Sequence, residues 1–215
     1  MPVFLHSIGA SITNLYLRAP KPTAHDAEGL STIFSHKYNN RFEPERPNAS
    51  ANTSPERYAQ KILQWRELAE RRQADFRIIA LDTHDDEGHA IDEDEIIGFG
   101  GYNAFEDRPS PTGDGTIRVA NVGVMLHEPY VGKGYGYAAL SITIQEAFDG
   151  FGVDLVEAET LAINTPFRGL MKKLKLEKFE KLRFENGLED VLYSFTKADW
   201  ETLHGSDFRR QSPSS

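Results

Sequence analysis

The chain has 215 residues, of which 39% are hydrophobic and 11% aromatic, a composition typical of a folded domain and not of a disordered or fibrous protein. Its 24 basic and 33 acidic residues leave a net charge of -9, which argues against a nucleic-acid surface and weakly favours a cationic or amine ligand. Because the chain has no cysteine, disulfides, thiolate metal sites and a cysteine nucleophile are excluded.

The length predicts one domain and not two. We expect an N-terminal extension over 1–12, one domain over 13–203, and a disordered tail over 204–215 that is rich in Gly, Ser, Arg and Pro. Residues 1–12 lack a basic segment followed by a long apolar run, and no stretch approaches the roughly 18 apolar residues of a membrane span. We therefore expect a cytoplasmic protein with no membrane partner.

The first elements are one strand and two helices. The strand is predicted over 13–18, because the proline-containing segment after it cannot donate ladder hydrogen bonds. A helix is expected over 24–36, then a loop to Ser54. A second helix begins there, with a hydroxyl cap and Pro55 in its first turn, and continues to about residue 72.

The second part of the chain predicts a sheet interrupted by helices. The helix after residue 134 has the clearest sequence pattern, because Leu140, Ile144, Phe148 and Phe151 recur at the spacing of one helical face. Around it the patterns predict strands over 76–81, 95–102, 116–126, 153–163, 179–182 and 191–196, and a helix over 165–176. The order β-α-α-β-β-β-α-β-α-β-β belongs to an α/β protein with a mixed sheet.

A glycine turn, Gly132-Lys133-Gly134-Tyr135-Gly136, separates the strand predicted over 116–126 from the helix that follows residue 134. Glycines let the backbone approach a ligand closely, and the start of the following helix offers unpaired N–H groups, so this arrangement predicts a phosphate site. A nucleoside-triphosphate loop needs Ser or Thr after the lysine, and a dinucleotide fold needs a different glycine spacing. The turn satisfies neither pattern.

Three segments resemble the GNAT (Gcn5-related N-acetyltransferase) superfamily, especially its ribosomal-protein N-terminal acetyltransferase branch. They are Gly123 to Leu126, Tyr130 to Ala138, and Glu159 to Pro166. The resemblance implies acetyl-CoA as co-substrate and a mostly antiparallel sheet that is splayed at the cofactor site. It also implies cofactor contacts from strand, turn and helix residues, namely Met125, Leu126, Gly132, Lys133, Gly134, Tyr135, Gly136, Asn164 and Arg168.

The chain departs from the family pattern at the expected acid and base. Asn121 and Val122 stand where members of the family carry a carboxylate, and the helix after Asn164 has no tyrosine to act as general acid. Two functions therefore stay open. The first is an N-acetyltransferase in which an amine attacks the thioester directly in a ternary complex, and the second is a CoA-binding regulatory module that has lost catalysis.

A replacement base is predicted on the strand after the helix that follows residue 134. Glu157 and Glu159 are two residues apart, so their side chains share one face of the strand, where a carboxylate could take a proton from an amine. We choose Glu159 because it is nearer the strand end. Glu157, Glu128 and His127 are the next candidates, and the alternative is that the strand carboxylates only form ion pairs or a solvated face.

The acceptor is left open between a small-molecule amine and a protein N-terminus, and a homodimer is compatible with the sequence. We expect no metal, because the acidic stretch over 82–94 lacks the ligand register of a calcium loop and the histidines lack zinc spacing. Five aromatic residues are compatible either with a substrate cleft or with the core: Tyr16, Tyr38, Phe42, Tyr58 and Trp65.

Overall fold

The structure is a computed structural model, which describes residues 3–4, 14–42, 53–83, 93–185 and 187–208. Its strands are β1 (Val3–Phe4), β2 (Leu15–Arg18), β3 (Asp75–Leu81), β4 (Glu95–Pro109), β5 (Thr116–Leu126), β6 (Leu155–Leu161), β7 (Glu180–Glu185) and β8 (Leu188–Thr196). Its helices are α1 (Ala24–Ser35), α2 (Lys37–Asn40), α3 (Pro55–Glu70), α4 (Tyr135–Asp149), α5 (Thr165–Lys173) and α6 (Lys197–Phe208).

The strands form one eight-stranded sheet in the order β1-β2-β3-β4-β5-β6-β8-β7. Every neighbouring pair is antiparallel except β5 and β6, which are parallel and pair over three positions, from Val119 with Leu155 to Asn121 with Glu157. Beyond Asn121 the ladder between β5 and β6 ends, although β5 continues to Leu126. The predicted mixed, mostly antiparallel and splayed sheet is confirmed.

Helices cover the two faces of the sheet unequally. The apolar side of α4 packs on one face across the middle of the sheet, with Leu140, Ile144 and Phe148 buried as the sequence pattern predicts. Residues of α5 and of the segment after it, together with Trp200 of α6, extend the same cluster. On the opposite face α1 and α3 cover the β2–β4 part, where Leu30 and Ile62 are fully buried.

A buried ion network joins β2, α1 and the start of β4. The Arg18 guanidinium lies 2.7 Å from the Asp26 carboxylate and 2.5 Å from that of Asp94, and the Tyr16 hydroxyl donates to Asp94 at 2.5 Å. Burial of Asp94 acts to raise its pKa, but the hydrogen bonds from Arg18 and Tyr16 outweigh it and hold the pKa below its usual range. These contacts fix the start of α1 against the sheet.

The same network explains a cluster of metal-type ligands. Among the described residues, His25, Asp26 and Asp94 bring ligand atoms within 4.8 Å of one another. Both carboxylates already bind Arg18, whose fixed positive charge would repel a cation at this place. The cluster is therefore accounted for by ion pairing, and our expectation that the protein needs no metal stays a prediction.

The ends of the chain differ from the sequence expectation. Val3 and Phe4 of the predicted extension pair with β2 as the edge strand β1. At the other end α6 continues to Phe208, and His204 is buried against the Trp200 ring with a hydrogen bond to the Leu174 carbonyl, so the helix passes the boundary expected at 203. The rest of the expected tail, 209–215, lies outside the described residues.

Strand and helix lengths differ where tertiary contacts decide them. Strand β4 continues to Pro109, well beyond the predicted end at Tyr102, because it pairs with the whole of β5 through a β-bulge at Asn103. Helix α2 has four residues and was not predicted. Most of the acidic stretch over 82–94 lies outside the described residues, and no helix in the described ranges is both long and apolar enough to cross a membrane.

Candidate functional site

A cavity of about 380 Å³ lies where β5 separates from β6. Four parts of the chain line it: α2 with the residues after it, the end of β5, the glycine turn with the start of α4, and α5. The lining residues are Tyr38, Asn39, Arg41, Phe42, Val124, Met125, Leu126, Val131, Gly132, Gly134, Gly136, Tyr137, Asn164, Pro166, Phe167, Gly169, Leu170 and Lys173. The predicted strand, turn and helix contributions thus meet at one place.

The glycine turn places the start of α4 at this cavity. Gly132 and Gly134 adopt φ of 81° and 93°, a region that favours glycine, and Gly134 caps the helix without a side-chain hydrogen bond. The first helical bond runs from the Ala138 amide to the Gly134 carbonyl at 3.0 Å, so the amides of Tyr135 and Gly136 have no carbonyl partner within α4. Such amides, at the positive end of a helix dipole, favour an anionic group.

The last part of β5 offers a free strand edge to the same cavity. On one side it pairs with β4 up to Leu126, whereas on the β6 side the described ladder ends at Asn121. Met125 and Leu126, the two strand residues predicted from the sequence, both line the cavity. An extended ligand with amide groups could therefore pair with this edge as an additional strand.

Helix α2 and the two residues after it form one wall of the cavity. The sequence indicates only the aromatic residues of this wall, as candidates for a substrate cleft. The Arg41 guanidinium carbon lies 3.4 Å from the centre of the Tyr38 ring and 4.3 Å from that of Phe42. Tyr38 and Phe42 therefore belong to the cavity, whereas Tyr58 and Trp65 pack in the core beside α1 and α3. No sequence signal separates these two groups, because aromatic residues suit both places.

Two histidines hold this wall against the segment after β5. The His36 side chain caps α2 and its Nε2 lies 3.6 Å from the Glu128 carboxylate, while its ring contacts that of His127 edge-on with 5.1 Å between centres. Burial, and then the neighbouring His36, lower the pKa of His127. Neither His127 nor Glu128 lines the cavity, and both contact His36, the N-cap residue of α2.

Asn164 joins β6 to α5 at the cavity wall. Its side chain accepts from the Phe167 amide at 3.3 Å and donates to the Thr160 hydroxyl at 2.9 Å, which makes it the N-cap of α5. Pro166 in the first turn favours the same helix start. The sequence predicted Asn164 as a cofactor contact, and the structure brings it to the cavity with a helix-capping role as well.

Three other predicted cofactor residues do not line the cavity with their side chains. Arg168 binds the Glu180 carboxylate at 2.7 Å and the Ala162 carbonyl at 3.2 Å, a long-range pairing that the sequence does not reveal. The Lys133 ammonium lies 5.6 Å above the Tyr130 ring, and Tyr135 packs beside the core. For Lys133 and Tyr135 the predicted contribution was the backbone of the turn, which this placement leaves unchanged. The cofactor contact of Arg168 stays a prediction.

The predicted base lies in a second depression, a polar groove of about 870 Å³. Its lining residues are Asn103, Ala104, Glu106, Arg108, Asn121, Glu157, Glu159, Arg183 and Leu192, and we call it the polar groove. Glu159 is half exposed and lies 2.7 Å from the Arg183 guanidinium, while Glu157 is mostly buried and lies 2.9 Å from that of Arg108. The alternative of ion pairing is thus realised for both carboxylates.

Comparison with known proteins gives a family and a fold. The family model described as "Acetyltransferase (GNAT) domain" matches residues 14–177. None of the curated proteins matches the chain. Among solved structures, the ribosomal-protein-S5-alanine acetyltransferase of Vibrio fischeri is 23% identical, with a TM-score of 0.61 over 90% of this chain and 99% of that one.

Two further solved structures share the fold and carry cofactor. Mycobacterium smegmatis RimJ in complex with CoA-disulfide is 18% identical, with a TM-score of 0.63 over 89% of this chain and 88% of that one. The Microcin C7 self immunity acetyltransferase MccE, in complex with acetyl-CoA and AMP, is 16% identical, with a TM-score of 0.60 over 85% and 92%. Because the family model described as "Acetyltransferase (GNAT) domain" matches most of the chain, residues 14–177, the chain belongs to the GNAT family of acetyltransferases.

Proposed function

We propose that the protein transfers the acetyl group of acetyl-CoA to a primary amine by direct attack in a ternary complex. The observation that carries this proposal is the meeting, in one cavity, of unpaired amides at the start of α4 with the free edge of β5. A diphosphate suits the first feature and the amide-containing pantetheine arm suits the second. CoA is a ligand that has both groups.

The charges of the cavity wall favour the same ligand. Arg41 and Lys173 both line it, and in the described part of the chain neither has a carboxylate within ion-pair distance. These two cations, for which the described residues supply no carboxylate partner, lie beside the positive end of α4 and attract phosphate groups, although the chain as a whole carries a charge of -9. Related GNAT structures that contain CoA or acetyl-CoA support this choice of ligand.

In the proposed reaction the amine nitrogen attacks the carbonyl carbon of the thioester. A C–N bond forms, the C–S bond breaks, and the thiolate leaves and takes up a proton as CoA. A backbone amide at the end of β5, near Leu126, polarises the carbonyl, and Glu159 accepts the proton that the amine loses, directly or through water. No acyl-enzyme is needed, in agreement with the absence of cysteine.

A second candidate function rests on one observation, the amide side chain of Asn121 at the point where β5 and β6 separate. A carboxylate is absent at this position, and Asn121 is engaged by the amide of Asn103 at 2.8 Å. If no group there accepts a proton, the protein would bind CoA without turnover and act as a regulatory module. The acceptor, the cytoplasmic location, the absence of a nucleic-acid partner and a homodimer remain predictions.

Two measurements test the proposal. Acetyl-CoA should raise the melting temperature, because a ligand of the native state stabilises it by mass action, whereas NADH and ATP should not. Equal shifts with all three ligands would contradict the CoA assignment. Amine-dependent release of CoA thiol, over a panel of amines, then separates an enzyme from a binding module, since a module would show the thermal shift without thiol release.

A further inference from the structure

We propose that the polar groove is the acceptor site and that it selects a hydrophilic primary amine without an anionic group, an inference that rests on the proposed function. The groove lies on the face of β4–β8 opposite to α4, and Asn121 and Glu157, the last register pair before β5 and β6 separate, are both in its wall. The cofactor cavity borders the same separation through Val124 and Met125. An acceptor in the groove and a thioester along β5 would therefore meet there.

The charge of the polar groove sets the class of acceptor. It contains three carboxylates and two guanidinium groups, an excess of one negative charge. Arg108 donates to both Glu106 and Glu157 at 2.9 Å, and Arg183 donates to Glu159 at 2.7 Å. A single ammonium would balance the excess, whereas a zwitterion would bring an additional carboxylate beside groups that are already paired.

The remaining lining makes the groove suited to a polar molecule. Ala104 and Leu192 are the apolar members, and the others carry amide or charged groups. An aromatic or long aliphatic amine would cover these groups without hydrogen-bonding them, which costs free energy for each polar group left unsatisfied. The groove therefore disfavours apolar amines as well as anionic ones.

Asn103 is a positioning residue in this site. It is the extra residue of the β-bulge in β4, and its Nδ2 donates to Asn121 Oδ1 at 2.8 Å. The neighbouring residue of β5 is Gly123, and a Cβ there would lie 3.2 Å from Asn103 Nδ2, so the glycine leaves room for this amide pair. Bulges beside active sites commonly redirect one side chain, and here the bulge orients Asn121 at the point where the acceptor would meet the thioester.

Three small amines test the selection: glycinamide, which is cationic and polar, glycine, which is a zwitterion of nearly the same size, and benzylamine, which is cationic and apolar. Thiol release at saturating acetyl-CoA should give glycinamide a kcat/KM at least about tenfold above each of the others, since about 1.4 kcal/mol corresponds to a factor of ten. A preference for glycine or benzylamine would overturn the proposal.

Charge variants locate the selection in the groove. The ratio of kcat/KM for glycinamide to that for glycine should fall about threefold or more in Glu106→Gln, which removes the excess negative charge, and rise in Arg183→Gln, which increases it. The two amines differ in basicity, but that difference is the same for every variant and cancels when their ratios are compared with the ratio of the parent protein. Loss of a general base would lower both rates. Glu67→Gln, on the exposed surface of α3, is the matched control and should leave the ratio unchanged.

The positioning role has its own readout. Asn103→Ala should raise the KM for glycinamide about fivefold, the size of one lost hydrogen bond, with the Kd of acetyl-CoA unchanged. An unchanged KM in Asn103→Ala overturns the role of Asn103, and an unchanged ratio in both charge variants overturns the groove as the acceptor site. If acetyl-CoA raises the melting temperature but none of the three amines reacts, the acceptor class is wrong while the cofactor site stands. Absence of that thermal shift would instead refute the proposed function itself.

Discussion

Replacing Gly136 by glutamate separates ligand binding from folding more sharply than other changes in the turn. Gly136 is the second residue of α4, and a Cβ there would lie 3.5 Å from Leu126 and 3.7 Å from Leu170, which is ordinary van der Waals contact. Glutamate forms helix better than glycine by about 0.5–1 kcal/mol, and a negative charge in the first turn adds roughly 0.3–1 kcal/mol. The melting temperature should therefore stay the same or rise by a few degrees.

The same carboxylate should greatly weaken cofactor binding. Two unit charges about 4 Å apart near a protein surface repel by about 4 kcal/mol. Even about 2.8 kcal/mol of this, after screening by solvent, corresponds to a hundredfold higher Kd for acetyl-CoA. Gly136 lines the cavity beside the unpaired amides of α4, so a diphosphate bound there could not avoid the new charge.

Calorimetric titration with acetyl-CoA, combined with thermal melting, measures both effects. Gly136→Gln is the matched variant, because it has the same size without the charge, and it should bind at least about tenfold more tightly than Gly136→Glu, with the gap narrowing at high salt. A folded Gly136→Glu variant with the affinity of the parent would refute the placement of a diphosphate at α4. Equal losses of affinity for acetyl-CoA in the two variants would show that the size of the side chain, and not its charge, weakens binding.

Three other changes probe separate parts of the molecule. Glu159→Gln should lower the rate of acetyl transfer at neutral pH by about 10² with little change in the Kd of acetyl-CoA. The loss of rate should shrink at high pH, where more of the amine is neutral, and full activity at every pH would exclude Glu159 as the base. Arg168→Ala should leave the Kd of acetyl-CoA within about twofold if the pairing with Glu180 persists in the complex, whereas a tenfold weaker affinity would support the predicted cofactor contact. Asp94→Asn should lower the free energy of unfolding by about 2 kcal/mol at pH 7, less than for an isolated buried pair because Arg18 keeps Asp26. Since the pKa of Asp94 is depressed in the folded protein, the difference in unfolding free energy between parent and variant should be present above pH 4 and shrink as the pH falls further. A difference that stays constant from pH 7 to pH 3 would contradict the pairing of Asp94 with Arg18.

The parts of the fold that the sequence predicts best are those fixed by local pattern. Strand β5 has the predicted bounds, 116–126, and α4 begins at the glycine turn with the predicted buried stripe. Each depends on interactions within a few residues: alternation or helical spacing of apolar side chains, and glycine at positions of positive φ. The same features indicated the glycine turn, for which contact with the cofactor stays a prediction.

The parts that the sequence did not predict depend on distant partners. Helix α2 is too short to show periodicity and is held by hydrogen bonds from Asn39 and Asn40 to carbonyls of α1. Helix α6 has a polar composition, and its place is set by Trp200, which donates to Gln145 of α4 at 2.8 Å. Arg168 pairs with a residue twelve positions further along the chain, which no local pattern reveals.

The separation of β5 from β6 has a mechanical consequence. The sheet has two arms, one formed by β1–β5 and the other by β6, β8 and β7. Within the sheet only three consecutive residue pairs of β5 and β6 connect the described parts of these arms, so the junction near Asn121 and Glu157 is a narrow hinge. A ligand that lies along β5 and contacts α5 would brace the two arms of the sheet beyond that hinge. We therefore expect acetyl-CoA to slow amide exchange in β8, a strand that contributes no residue to the cavity, because bracing suppresses joint opening of the two arms.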